Sequence, residues 1–233
     1  QAQLPGDGTD ARIVLNDRPL WPAEGWAHTA HSADVKRHEI EARVRAGDRL
    51  MFVIALDRQE QGELRGPVVG TVMSNLGLEQ ALEARGIGFL RAAVGDRYVL
   101  ELLKQHGGVL GGETSGHLLC LDRTTTGDGL VSALQVVAVM KRTGRSLAEL
   151  AAGMPQFPQV MINVKVRERI DPRESEPIQA HVRRVEESLG STGRVVLRAS
   201  GTEPLIRVMV EGQDEAVVMR HAEELAETVR RAV

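Results

Sequence analysis

A single cysteine, Cys120, rules out an internal disulfide framework and fits a reducing compartment, so a cytoplasmic location is expected. It sits in the apolar run LLCLD, which points to a buried structural thiol rather than a nucleophile. The chain also lacks an excess of either charge: 29 Lys and Arg face 32 Asp and Glu, a formal net charge of -3. That balance gives no reason to expect nucleic acid or an anionic membrane as a partner, so any anion site must come from local arrangement. No apolar run is long enough to suggest a membrane span, and no signal-peptide pattern opens the chain. Internal repeats and low-complexity tracts are missing too. The first residue, Gln1, suggests a fragment or a processed chain.

What is present is ordinary for a globular protein, with 42% hydrophobic and 26% charged residues in 233, enough for one large domain or two smaller ones. Residues 1–45 form an atypical segment that reads as irregular, apart from a helix around 34–44. His31, Asp34 and His38 lie in it, but their spacing matches no metal signature, and solvated histidines are the better reading. From residue 46 the pattern alternates: helix 47–64, strand 67–75, helix 76–86 closed by Gly86, strand 87–94, helix 96–107 closed by Gly107, and a hairpin over 108–122. A helix over 129–144 follows, with Asp128 at its N-cap, and then a short helix and a proline-containing connection at 146–159. This predicts an α/β domain over 46–154. Strand 160–166, helix 175–189, strands 194–199 and 205–210 and a helix from 214 then predict a small mixed βαββα domain over 155–233.

Three loops carry chemistry. RASGTEPLIRV at 198–208 holds Arg198, Ser200, Gly201, Thr202 and Arg207 between apolar strands. A positive φ at Gly201 would turn successive backbone N–H groups inward, two hydroxyls add donors, and guanidinium forks match phosphate oxygens. A solvated hairpin with incidental arginines is the competing reading of these residues alone. GETSGH at 112–117 puts a carboxylate, Glu113, and a hydroxyl, Ser115, on one turn, where they could take neighbouring sugar hydroxyls; a plain turn is the alternative. VGDRYV at 94–99 places Asp96 and Arg97 where a strand gives way to a helix, the usual ligand end of an open α/β sheet. Asp96 could equally cap the helix and Arg97 face solvent.

RASGTEPLIRVMVEG at 198–212, GETSGH and TTTGDG at 124–129 together resemble the third and fourth domains of the α-D-phosphohexomutases, in wording closest to the phosphoglucosamine mutases. The resemblance covers roughly residues 46–233. It implies a three-layer α/β/α sugar-recognition domain followed by the phosphate-binding domain. Arg198, Ser200, Gly201, Thr202 and Arg207 would grip the substrate phosphate. Glu113 and Ser115 would hold ring hydroxyls in either of two sugar orientations, His117 would line the cleft, and Arg97 would touch substrate. The implied activity is interconversion of glucosamine 6-phosphate and glucosamine 1-phosphate, by way of a phosphoserine on the first domain and Mg2+ on the second. GDGTDAR at 6–12 offers only Asp7 and Asp10 toward the family's magnesium loop, and no Ser-His-Asn nucleophile segment occurs. The chain alone is therefore expected to be inactive. Expected partners are a hexosamine phosphate, the first two domains on another chain, and a second copy in a homodimer. A stand-alone sugar-phosphate binding module, a non-functional gene fragment, and a phosphomannomutase or phosphoglucomutase are the alternatives.

Overall fold

The structure, a computed structural model, describes residues 13–15, 18–21, 33–166, 171–200 and 203–232, with side chains from Gly47 onward within those ranges. Asp7, Asp10 and His31 lie outside the described residues. Strands β1 (Ile13–Leu15) and β2 (Arg18–Trp21) pair antiparallel. Helix α1 then runs unbroken from Ala33 to Glu60. The separate helices expected at 34–44 and 47–64 are thus one, and the division drawn at residue 45 falls inside it. Gly47 masked the continuity, because a glycine in mid-helix weakens the helical signal. It is there for space: a Cβ on Gly47 would come under 3.0 Å from the backbone of Glu113, Thr114 and Gly116.

Beyond α1 the chain alternates β3 (Val68–Thr71), α2 (Leu76–Glu83), β4 (Phe89–Ala92), α3 (Asp96–His106), β5 (Leu110–Gly112) and β6 (Leu118–Cys120), then α4 (Gly129–Thr143) and α5 (Leu147–Ala151). The strands form one sheet in the order β4-β3-β5-β6, with β3 parallel to β4 and β5 and β6 antiparallel at the edge. Side chains alternate between its faces. Val68, Leu110 and Leu118 meet Met51, Phe52, Ile54, Leu78, Leu82 and Val136 from α1, α2 and α4 on one side. Val69, Ala92 and Leu119 meet Val99 and Leu103 of α3 on the other. These are the three layers that the family resemblance implied. Caps behave as read: the Asp128 carboxylate accepts from the N–H of Leu130 (2.8 Å) and Val131 (3.0 Å), and Gly107, at φ 66°, closes α3. Helix α2, however, ends at Glu83, three residues before Gly86.

The second unit is β7 (Gln159–Lys165), α6 (Glu176–Leu189), β8 (Gly193–Ala199), β9 (Leu205–Gly212) and α7 (Glu215–Ala232). Its sheet runs β7-β9-β8, every pair antiparallel. Val164, Ile206 and Val208 face Ile178 of α6 and Leu225 and Val229 of α7, so both helices cover one face. The opposite face carries Met161, Asn163, Arg198, Arg207, Met209 and Glu211, by strand alternation. Among the described residues no helix is long and apolar enough to cross a membrane.

One buried ion pair pins the end of α1 to the segment leaving β6. Arg58 Nη1 lies 2.9 Å from Asp122 Oδ1, with the two side chains 2% and 11% exposed. Removing one partner of such a pair strands the other charge in low dielectric. We predict that Asp122→Ala destabilises the fold by about 3–5 kcal/mol in urea unfolding; a loss under about 1 kcal/mol would show the pair to be solvated like a surface bridge.

Candidate functional site

The parallel strands β3, β4 and β5 all end at the same edge of the first sheet, which brings residues 72–75, 93–97 and 113–117 together there. The turn after β5 is closed by its own backbone: Glu113 N–H donates to His117 O, and Gly116 N–H to Glu113 O, each at 3.0 Å. Gly116, at φ 99°, takes a conformation that L side chains rarely adopt. The Glu113 carboxylate accepts from Gly95 N–H at 3.0 Å and so ties this turn to the start of α3. His117 Nε2 lies 3.7 Å from Asp96 Oδ2. Its ring fills the space that a Cβ on Gly127 would need, which seats the TTTGDG loop against the same cluster. Glu113, His117, Asp96 and Gly127 are therefore gathered at one edge. Ser115 is exposed on the tip of the turn. Arg97 is not drawn in: its guanidinium runs along α3 to Glu101 (2.9 Å) and its side chain is 79% exposed.

In the second unit, strand register sets Arg198 of β8 directly opposite Arg207 of β9, with Asn163 of β7 on the far side of Arg207. Like charges in directly opposed positions destabilise a sheet. Burial, and then the Arg207 charge, push the Arg198 guanidinium below its ordinary value. The Nε atoms of both arginines are buried with no hydrogen-bond partner among the described residues. Buried donors are normally satisfied, and these two are exceptions. Ser200 is buried beside them; its Oγ accepts from Glu203 N–H (3.3 Å), and its own N–H donates to Leu205 O (2.9 Å). Gly201 and Thr202, the remaining expected phosphate ligands, lie outside the described residues.

Sequence reading missed how the two units meet. It took 67–75 as one strand, but β3 stops at Thr71 and the chain turns. The Thr71 hydroxyl accepts from Met73 N–H, and the Ser74 hydroxyl from Thr71 N–H, both at 3.1 Å; these bonds compete with strand pairing. Arg194 of β8 donates to the carbonyls of Val72 (2.8 Å) and Ser74 (2.7 Å) in this turn. Glu211 of β9, fully buried, accepts from Arg194 Nε (2.6 Å) and from Leu76 N–H (2.9 Å). Burial raises the Glu211 carboxyl, and Arg194 opposes that shift. The helix-capping Asn75 binds the connection between units, donating to Phe157 O and accepting from Phe157 N–H. Its own N–H donates to Asp48 Oδ2 at 2.8 Å, while the other Asp48 oxygen is buried with no hydrogen-bond partner among the described residues. Burial pushes the Asp48 carboxyl from 3.8 up to about 7. Among the described residues no group of three His, Cys, Asp or Glu is placed to hold a metal ion.

Comparison with known proteins gives a consistent result. The α/β/α domain III of the phosphoglucomutase/phosphomannomutase family matches residues 46–157, and the C-terminal domain of the same family matches residues 161–228. The phosphoglucosamine mutase of Methylococcus capsulatus is 58% identical over 186 residues, 80% of this chain and 42% of the relative. That of Escherichia coli O7:K1 is 54% identical over 185 residues, 79% of this chain and 42% of the relative. The chain thus spans well under half the length of these relatives. Among solved structures, Aspergillus fumigatus N-acetylphosphoglucosamine mutase in complex with GlcNAc-6P and magnesium aligns with a TM-score of 0.66 at 23% identity, over 80% of this chain and 44% of that one. An N-acetylglucosamine-phosphate mutase in its product complex aligns with a TM-score of 0.69 at 20% identity, over 78% and 43% of the two chains. At these identities the two structures speak for the fold.

Two predictions follow from the packing of this edge. Gly47→Ala forces α1 away from the 113–116 backbone; it should cost about 1–3 kcal/mol in urea unfolding and speed hydrogen exchange at the Gly116 amide. Unchanged exchange there would mean that the helix does not support the turn. The Asp48 carboxyl is raised on folding, so the fold carries no penalty below about pH 4, loses stability as the pH climbs to about 7, and is level above that. Asp48→Asn should flatten this fall, with a melting temperature above the parent's near pH 8. Parallel pH curves for the two proteins would count against it.

Proposed function

Because the chain belongs to the phosphoglucomutase/phosphomannomutase family, we propose that it is the substrate-recognising half of a phosphoglucosamine mutase, binding a hexosamine phosphate. The observation that carries this reading is the Arg198–Arg207 pair, two opposed cations whose buried Nε donors have no partner among the described residues. A phosphate dianion accepts from both and removes their mutual repulsion. Ser200, with Gly201 and Thr202, completes the phosphate grip. Glu113 and Ser115 take the sugar hydroxyls, and His117, held near Asp96, lines the cleft between them. A rigid turn bearing a carboxylate and a hydroxyl accepts a hexose in two orientations, as interconversion of the 6-phosphate and the 1-phosphate requires. Arg97 reaches substrate only by leaving Glu101, an exposed pair worth little to break.

In this reading the phosphoserine donor and the Mg2+ of the complete enzyme belong to domains other than these two, and the isolated chain does not turn over. Phosphoryl transfer rests on placing donor and acceptor in line and neutralising the developing charge. The residues described here bind and orient one end of that reaction. The structural relatives solved with GlcNAc-6P and with product support the same ligand class.

Calorimetric titration with glucosamine 6-phosphate tests the proposal. Saturable binding is expected, weakened roughly 10- to 100-fold by Arg198→Ala or Arg207→Ala, the loss that follows from a charged hydrogen bond of about 1.5–3 kcal/mol. Glucose and mannose phosphates should bind less well. A folded chain that binds none of them overturns the reading, as would mutase turnover by the pure chain if the assignment of inactivity is at stake.

A further inference from the structure

The outer face of the C-terminal sheet carries two polar rows, and only one of them belongs to the phosphate grip. Register places Gln159, Glu211 and Arg194 in a single line across β7, β9 and β8. Every member of that line bonds to the turn that leaves β3. Gln159 Nε2 donates to Met73 O (3.2 Å), Glu211 accepts from Leu76 N–H, and Arg194 donates to the carbonyls of Val72 and Ser74. Met161, Met209 and Val196 form the next line on the same face, and Asn163, Arg207 and Arg198 the one after it. The docking row and the phosphate row are therefore four residues apart on each strand, about 13 Å along the sheet. The turn that receives the docking row leaves β3 at the sheet edge where the Glu113 turn leaves β5.

We propose that Gln159, Arg194 and Glu211 are positioning residues that fix the distance from the sugar turn to the phosphate row, so that the site accepts a phosphate and a hexose ring as one rigid ligand. This rests on the functional reading above, since it assigns the two ends of the ligand to those two places. The physical argument is one of lever geometry. A paired sheet does not stretch along its strands, so its position is set wherever it is clamped. The clamp is built on a buried charged pair of the second unit, with the Glu211 side chain 0% exposed and Arg194 18%, and undocking takes from that pair the Leu76 donor and the two turn carbonyls. Bonding to backbone carbonyls at two successive turn positions also fixes orientation, because the guanidinium fork is planar. Freed of the clamp, the phosphate row would keep its affinity for a phosphate but lose its spacing to the sugar turn. A small anion tests the first property alone, and a hexosamine phosphate tests both.

The experiment compares inorganic phosphate with glucosamine 6-phosphate as ligands of the full chain, in the parent and in Arg194→Ala, Glu211→Gln and the milder Gln159→Ala. Spin labels at Glu83→Cys and Glu223→Cys report the distance between the units in the same proteins. The expected result is a widened distance distribution and a tenfold or greater loss of glucosamine 6-phosphate affinity in Arg194→Ala and Glu211→Gln, a smaller loss in Gln159→Ala, and inorganic phosphate affinity within twofold of the parent throughout. Equal losses for both ligands would make the row a general stability element and overturn the proposal. So would a widened distribution with sugar-phosphate affinity intact, or a lost affinity with the distribution unchanged. A parent that binds neither ligand removes the functional reading and the proposal with it; that outcome is seen in the parent alone and is separate from a failure of the clamp, in which the parent binds both. Should Arg194→Ala fail to fold, Glu211→Gln and Gln159→Ala carry the same comparison.

Discussion

A carboxylate with no exposed surface, Glu211, holds the two units of this protein in one arrangement. A buried ionised group is costly unless paired and hydrogen-bonded. Arg194 of its own unit holds one of its oxygens, and the Leu76 N–H of the other unit holds the second. Neither unit alone satisfies it. The relative placement of the Glu113 turn and the Arg198–Arg207 pair follows from that requirement, since the turn belongs to the first unit and the pair to the second.

The same two strands use the cross-strand position in opposite ways. At Arg194 and Glu211 the facing residues are of opposite charge and the pair is closed. At Arg198 and Arg207, four residues along, the facing residues are both cations and their Nε donors are left over. A sheet built for stability alone would have no use for the second arrangement, because opposed like charges cost free energy and buried donors without acceptors cost more. In the proposed reading the closed pair accounts for position and the open pair for binding. Their separation on one rigid face is what allows a single sheet to serve both purposes.

Much of this was legible in the sequence, for identifiable reasons. The order of strands and helices from residue 67 onward, the Asp128 cap and the Gly107 stop are local signals carried by residue type; the order holds, and the cap and the stop fall where they were read. The Glu113 turn was legible as a turn because Gly, Ser and Thr are common turn residues, and Gly116 takes a positive φ there. Arg198 and Arg207 were legible as a set because apolar strands flank them. What failed had both long-range and local causes. The unbroken helix α1 was hidden by Gly47, whose presence answers to a contact 66 positions away, with Glu113. The strand read over 67–75 stops at Thr71, because two hydroxyls offer the backbone a better partner than the neighbouring strand. Arg97 was read from its place at a strand end, but its guanidinium finds Glu101 one helical turn away.

The most consequential miss, the docking of the second unit on the 71–76 turn, has a deeper cause. Most of what that turn presents is backbone: the carbonyls of Val72, Met73 and Ser74 and the amide of Leu76. Backbone groups are the same for almost every residue, so the accepting side of the contact leaves no mark on composition or spacing. The donating side does leave a mark, but Gln159, Arg194 and Glu211 are far apart in sequence and become a row only when the strand register is known. Asn75 shows the same limit: as a helix cap it was an ordinary residue in an ordinary place, yet its amide also holds Phe157 at both its N–H and its carbonyl. A Cβ on Gly77 would collide with the Pro155 carbonyl, so the connection is seated on the first turn of α2 before β7 begins. The joint is therefore anchored twice, once through the connection and once through the docking row. Side-chain chemistry could announce what the loops bind; only the fold could show how far apart they are held.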